Sequence, residues 1–166
     1  TISNVQTLFE TRKVIEGAVV QLAARRASPA DIEEIIRLST ISYEYGNVES
    51  YVRYIEDNSR FHRLIAESSG NPKLADFNKV IIDEMARVLH LGLTYGDTHT
   101  RLSSDHINLA EAIAKRDYRQ ALESSNMEID YAFMRVKQAL TRLLTEPNFE
   151  WPLFQNLDLD GLGLHR

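Results

Sequence analysis

The stretch "EDNSRFHRLIAESSGNP", Glu56 to Pro72, combines an apolar helical face with a polar pair. Gly70 and Pro72 predict where the helix ends, because glycine adopts the left-handed conformation and proline cannot continue a helix. Asn58 and His62 are four residues apart, which places both on one helix face, one turn apart. The pair could hold a bivalent metal, or His62 could be a core histidine with satisfied hydrogen bonds.

Similar helical signals continue on both sides of this stretch, and nearly all of the 7 Gly and 4 Pro lie where a helix would start or stop. "SPAD", Ser28 to Asp31, is typical of a helix start, with a Ser cap and Pro at the first helical position. The predicted helices are Ser3–Arg26, "SPAD" to about Tyr45, Glu49–Ser69, Pro72–Tyr95, His99–Lys115 and Asp117–Leu144.

The connections between these helices are short, which makes neighbouring helices antiparallel. We therefore predict an all-α antiparallel bundle of about six or seven helices over residues 1–145. Residues 146–166 form a different kind of segment, an irregular C-terminal tail that contains Trp151 and Phe154. We expect this tail to pack on the bundle or on a partner.

Composition excludes several classes of function. The chain has 166 residues and no Cys, so disulfides, thiolate metal sites and cysteine nucleophiles are excluded, and a cytoplasmic location is favoured. No apolar run is long enough for a membrane span. The formal net charge of −5 is unsuited to binding phosphate backbones. We expect no membrane contact and no direct DNA contact by this segment.

Catalytic motifs are missing from the sequence. It contains no "GxSxG", no "HExxH" and no glycine-rich phosphate loop. Ser68, Ser69, Ser103 and Ser104 lie beside helix ends, where capping explains them. We predict that the protein is not an enzyme; a metal-dependent enzyme built in a helical bundle and a purely structural dimerisation module remain the alternatives.

Three ordered segments resemble the effector-binding FCD domain of the FadR-like branch of the GntR transcriptional regulators, over about Gln6 to Leu140. They are "LFETRKVIEGAVVQLAARRASPADIEEI", "FHRLIAESSGNPKL" and "DHINLAEAIAKRDYRQAL". The resemblance implies a helical bundle that senses a small molecule and forms a homodimer, joined to an N-terminal winged-helix domain that binds DNA. No winged-helix sequence occurs in these 166 residues, and the chain does not begin with Met, so we expect that domain to lie upstream.

The resemblance also implies a metal site, since many family members hold an ion with one Asp and three His. The corresponding positions here are Asn58, His62, His106 and Glu128. Asn in place of Asp removes one negative charge, and Glu in place of His restores one. The resulting set of two nitrogens and two oxygens suits zinc, with nickel, manganese or iron as alternatives. Asp130, two residues after Glu128, points away and is the weaker candidate.

Two arginines are candidates for binding an effector. Arg12 lies within an apolar stripe, four residues before Glu16. It could form an ion pair that stabilises the helix or clamp the carboxylate of an effector, and Arg87 is a second candidate. The resemblance therefore implies a regulator's sensor domain that binds a small organic acid over a divalent metal. The alternatives are a metal-free effector-binding or dimerisation module and the helical-bundle enzyme.

Overall fold

The computed structural model describes residues 2–44, 47–93 and 99–145. Over these residues the chain forms six α-helices and no β-strand. The helices are α1 Ile2–Arg26, α2 Pro29–Ser39, α3 Val48–Ser68, α4 Pro72–Leu93, α5 His99–Ala114 and α6 Tyr118–Thr145. The prediction of an all-α antiparallel bundle is confirmed. The tail with Trp151 and Phe154 lies outside the described residues.

The helix-end signals act as the sequence predicted. Ser28 Oγ accepts a hydrogen bond from Asp31 N at 3.1 Å, and Asp31 Oδ2 accepts one from Ser28 N at 2.9 Å, so a complete capping box starts α2. After α3, Gly70 adopts a φ of 65°, the left-handed conformation that side chains disfavour. These local interactions fix where α2 begins and where the chain turns after α3, so the connections from α1 to α2 and from α3 to α4 are short.

The end of α2 differs from the prediction. The helix was expected to reach about Tyr45, but it ends at Ser39, and residues 40–44 are not helical. The ring of Tyr43 is buried, with its centroid 5.5 Å from that of Tyr51 and 5.2 Å from that of Tyr54. The chain leaves the helix early because burying Tyr43 against α3 stabilises it more than another exposed helical turn would.

Helix α1 lies at the centre of the bundle and packs against α3, α4, α5 and α6, while α2 packs against α3 and α5. Two apolar clusters fill the interior. The first contains Val5, Phe9, Tyr51, Tyr54, Met85 and Val136; the second contains Val19, Ala23, Ile35, Phe61, Leu109 and Ile113. Along α1, two buried polar residues, Arg12 and Glu16, separate the residues of the two clusters. A polar layer therefore lies between two apolar layers.

None of the helices over the described residues is both long and apolar enough to cross a membrane.

Candidate functional site

The polar layer brings together five ionisable side chains from four helices, and each residue is at most 4% exposed. They are Arg12 and Glu16 on α1, His62 on α3, His106 on α5 and Glu128 on α6. We call this group the buried polar cluster. Charged groups are stable in such a position only when they are paired, so the contacts between the five decide what the cluster can do.

Glu128 is the acceptor at the centre of the cluster. Its Oε1 atom accepts a hydrogen bond from Arg12 Nη2 at 2.8 Å and lies 3.2 Å from His62 Nε2. The distance from the same oxygen to His106 Nε2 is longer, at 3.8 Å. Possible ligand atoms of His62, His106 and Glu128 all lie within 4.8 Å of one another. Residues on three separate helices thus converge on one interior point.

Glu16 is the second acceptor of the cluster. Its Oε2 atom accepts a hydrogen bond from Arg12 Nε at 3.1 Å, and its Oε1 atom lies 3.3 Å from His62 Nδ1. His62 is therefore placed between two carboxylates, one facing each ring nitrogen. Arg12 Nη2 is 3.3 Å from His62 Nε2, so both groups point toward the oxygen of Glu128 that they share.

The surroundings shift the pKa values of the two histidines in opposite directions. Burial alone lowers the pKa of His62, but the carboxylates of Glu128 and Glu16 outweigh burial and raise that pKa to about 9. Burial lowers the pKa of His106 to about 4, although Glu128 opposes it. At neutral pH, and with no ion bound, His62 is therefore charged and His106 is neutral.

The cluster is electrically balanced in this state. Burial raises the pKa of each glutamate, but neighbouring cations outweigh burial and hold the pKa below its ordinary value. These cations are chiefly His62, with Arg12, for Glu128, and chiefly Arg12, then His62, for Glu16. Arg12 itself stays charged, since Glu16 and Glu128 outweigh burial and raise its pKa. Two negative charges thus face two positive charges, as burial requires.

The donor set fits a divalent metal ion. Two imidazoles and a carboxylate are ligands that zinc and related ions take in proteins. Among the described residues, His106 Nδ1 and Glu128 Oε2 are buried without a hydrogen-bond partner. Buried polar atoms are seldom left unpaired, so these two atoms have capacity for a ligand. An ion at this point would have to replace the proton on His62, and it would meet the Arg12 guanidinium beside Glu128.

The remaining sequence candidates lie in different surroundings. Asn58 is buried on α3, one turn before His62. Asp130 lies on the exposed face of α6, where it pairs with Lys13 Nζ at 2.7 Å, outside the cluster. Arg87 is exposed and borders a cavity of about 240 Å³ between α1 and α4 that is also lined by Leu8. The structure therefore brings Arg12 into the cluster and places Arg87 elsewhere.

Glu16 is a member of the cluster that sequence reasoning missed, because it was considered only as a partner for Arg12. A signal for it was present in the sequence. Phe9, Arg12, Glu16 and Val19 follow one another at intervals of three and four residues, so they occupy one face of α1. A carboxylate on an apolar face is costly unless a cation lies opposite, and His62 supplies that cation from α3.

Together the fold and the cluster define a helical-bundle domain with a buried, ionisable centre. Residues 7–129 match the model of the FCD domain, and the chain belongs to this family. The chain is also 26% identical over 117 residues to RmpR of Mycobacterium gastri, a protein provisionally named an HTH-type transcriptional regulator. The aligned region covers 69% of this chain and 42% of RmpR, so the chain spans less than half the length of that relative.

Proposed function

We propose that this chain is the effector-sensing domain of a bacterial transcriptional regulator of the GntR type, FadR branch. Membership of the FCD family and the similarity to RmpR support a regulator rather than an enzyme. The sensor domain comprises residues 1–145, followed by the tail at 146–166. DNA binding is assigned to a winged-helix domain outside the sequence described here.

The observation that carries this proposal is the buried polar cluster in the middle of the bundle. Its five side chains come from α1, α3, α5 and α6. A ligand bound there touches four helices at once, so any rearrangement of its partners changes how these helices pack. Such differential contact is the physical requirement for a ligand to shift a conformational equilibrium.

The proposed effector is a small organic acid bound over a divalent metal. His62, His106 and Glu128 supply the ligands, with the side-chain oxygen of Asn58 as a fourth. Zinc suits this set first, and nickel, manganese or iron are alternatives. The ion would fix a carboxylate or hydroxyl of the effector and would catalyse no reaction. With neutral imidazoles, two glutamates, Arg12 and a divalent ion leave one positive charge, which favours an anion.

A homodimer is the second part of the proposal. Regulators of this architecture read operators with two-fold symmetry, and a two-fold symmetric protein matches such a site. The dimer interface would place two copies of the cluster in fixed relation to two DNA-binding domains. A change in helix packing at each cluster would then alter the spacing of those domains.

A metal-free version of the sensor is the other candidate, and one observation favours it. Arg12 and protonated His62 already balance Glu16 and Glu128, so the cluster needs no ion for neutrality. In this version Arg12 would bind the effector carboxylate directly.

Calorimetric titration separates the two versions. Zinc, and then a panel of small carboxylic and sugar acids, is titrated into the full chain and into His62→Ala, with Asp130→Asn as a control on the exposed face of α6. If the effector binds over the metal, zinc should increase the affinity for the acid in wild type and in the control. His62→Ala should then lower the affinity for both zinc and the acid. Equal acid affinity with and without zinc would reject the metal bridge in favour of Arg12. If no acid binds either with or without zinc, the assignment of an organic acid as effector is wrong.

A further inference from the structure

Arg12 occupies the place in the cluster where an added cation would have to lie. Its Nη2 atom is 2.8 Å from Glu128 Oε1 and 3.3 Å from His62 Nε2, and both atoms belong to residues proposed to hold the metal. Zinc-like ions lie about 2.0 to 2.2 Å from such ligands. An ion shared by Glu128 and His62 would therefore be in contact with the guanidinium, cation against cation.

We infer that Arg12 is an internal cation that competes with the metal, so that an ion binds only by displacing the guanidinium from Glu128. This inference rests on the proposed metal site. The physical reason is that a buried carboxylate must keep a cationic partner at all times. In the metal-free cluster Arg12 on α1 is such a partner beside His62, and it is 116 positions away from Glu128 in sequence.

Displacement would not leave Arg12 unpaired. Its Nε atom keeps the bond to Glu16 Oε2 at 3.1 Å, within the same helix. The Nη2 group that held Glu128 becomes available to an anion. Loading of the metal thus frees a second cationic group for an effector carboxylate held by the ion, and the two ligands favour each other's binding. By linkage, each raises the affinity of the other by the same factor.

The test removes the competitor without changing the buried charge. Arg12→Gln/Glu16→Gln deletes one positive and one negative charge and leaves His62, His106 and Glu128 in place. Zinc affinity of the full chain is measured by calorimetry against a competing chelator. We expect the double variant to bind zinc at least about tenfold more tightly than wild type, since the ion no longer has to displace a guanidinium.

The matched control is Lys13→Gln/Asp130→Asn. It deletes an exposed ion pair between α1 and α6, in which Lys13 Nζ lies 2.7 Å from Asp130 Oδ1. Its zinc affinity should stay within about twofold of wild type, because exposed pairs contribute little. A second measurement needs no variant: the side-chain NMR resonances of Arg12 in wild type should shift when zinc is added. This keeps the inference testable even if the double variant fails to fold.

The outcomes separate this inference from the function it rests on. If His62→Ala weakens zinc binding but Arg12→Gln/Glu16→Gln binds zinc no more tightly than wild type, the competition is refuted and the metal site stands. Unchanged Arg12 resonances in zinc-saturated wild type refute the competition in the same way. If neither wild type nor the double variant binds zinc, both the metal site and the competition are wrong.

Discussion

Glu128→Gln tests whether the buried polar cluster holds the bundle together by charge balance. Glutamine keeps the shape of the side chain but removes the negative charge. In the wild type, Glu128 Oε1 accepts from Arg12 Nη2 at 2.8 Å and lies 3.2 Å from His62 Nε2. Because Glu128 is only 4% exposed, water cannot replace the lost carboxylate. The variant leaves Glu16 alone to balance Arg12 and His62.

The size of the effect follows from the cost of an unpaired buried charge and, independently, from the raised pKa of His62. Removing one partner from a buried ion pair costs about 3 to 5 kcal/mol. Raising the His62 pKa from 6.5 to about 9 corresponds to about 3 kcal/mol, and Glu128 is the larger of the two groups that raise it. In metal-free protein near pH 6.5, we therefore expect Glu128→Gln to lower the free energy of unfolding by about 3 kcal/mol.

The contact between Glu128 and His62 also makes stability depend on pH, and the sign of that dependence follows from the His62 pKa. The pKa of His62 in the folded state, about 9, lies above its ordinary value of 6.5. Its contribution to stability is therefore complete below pH 6.5 and is lost as pH rises through about 9. The wild type should lose up to about 3 kcal/mol from this group over that window. Glu128→Gln should lose much less, because its His62 pKa is raised by Glu16 alone.

Urea denaturation at pH 6.5 and pH 9, with a chelator present, measures both effects in the full chain. Asp130→Asn is the control, since it removes a carboxylate two residues further along α6 whose side chain is 65% exposed and paired with Lys13. The control should cost less than about 1 kcal/mol. The reasoning is refuted if Glu128→Gln is as stable as the control, or if its stability falls with pH as steeply as that of wild type.

The other predictions concern helix ends, ligands and assembly. Gly70→Ala should cost about 1 kcal/mol in urea denaturation, because φ is 65° there. Ser28→Ala should cost a similar amount, about 1 kcal/mol, by removing the cap of α2; values near zero would contradict both. His62→Ala should weaken zinc binding in calorimetry, and unchanged affinity would reject the site. Light scattering should give a dimer at tens of micromolar, and a monomer would reject the proposed assembly.

Much of the fold could be predicted because helix ends depend on local interactions. The capping box at Ser28 and the left-handed Gly70 involve residues within a few positions of each other, so both are readable in the sequence. The end of α2 at Ser39 was not predictable in this way. It depends on Tyr43 packing against Tyr51 and Tyr54, which requires α3 to be in place.

For the cluster, the sequence alone determined which helix face each polar residue occupies, through the spacing of Arg12 and Glu16 and of Asn58 and His62. The family resemblance added Glu128 and grouped it with His62 and His106. Only the tertiary structure decided which of these groups face one another and which are charged. The contact between Arg12 and Glu128 joins α1 to α6, and it is invisible to any pattern within one helix. Protonation also depends on burial and on distances between helices, which exist only once the bundle has packed.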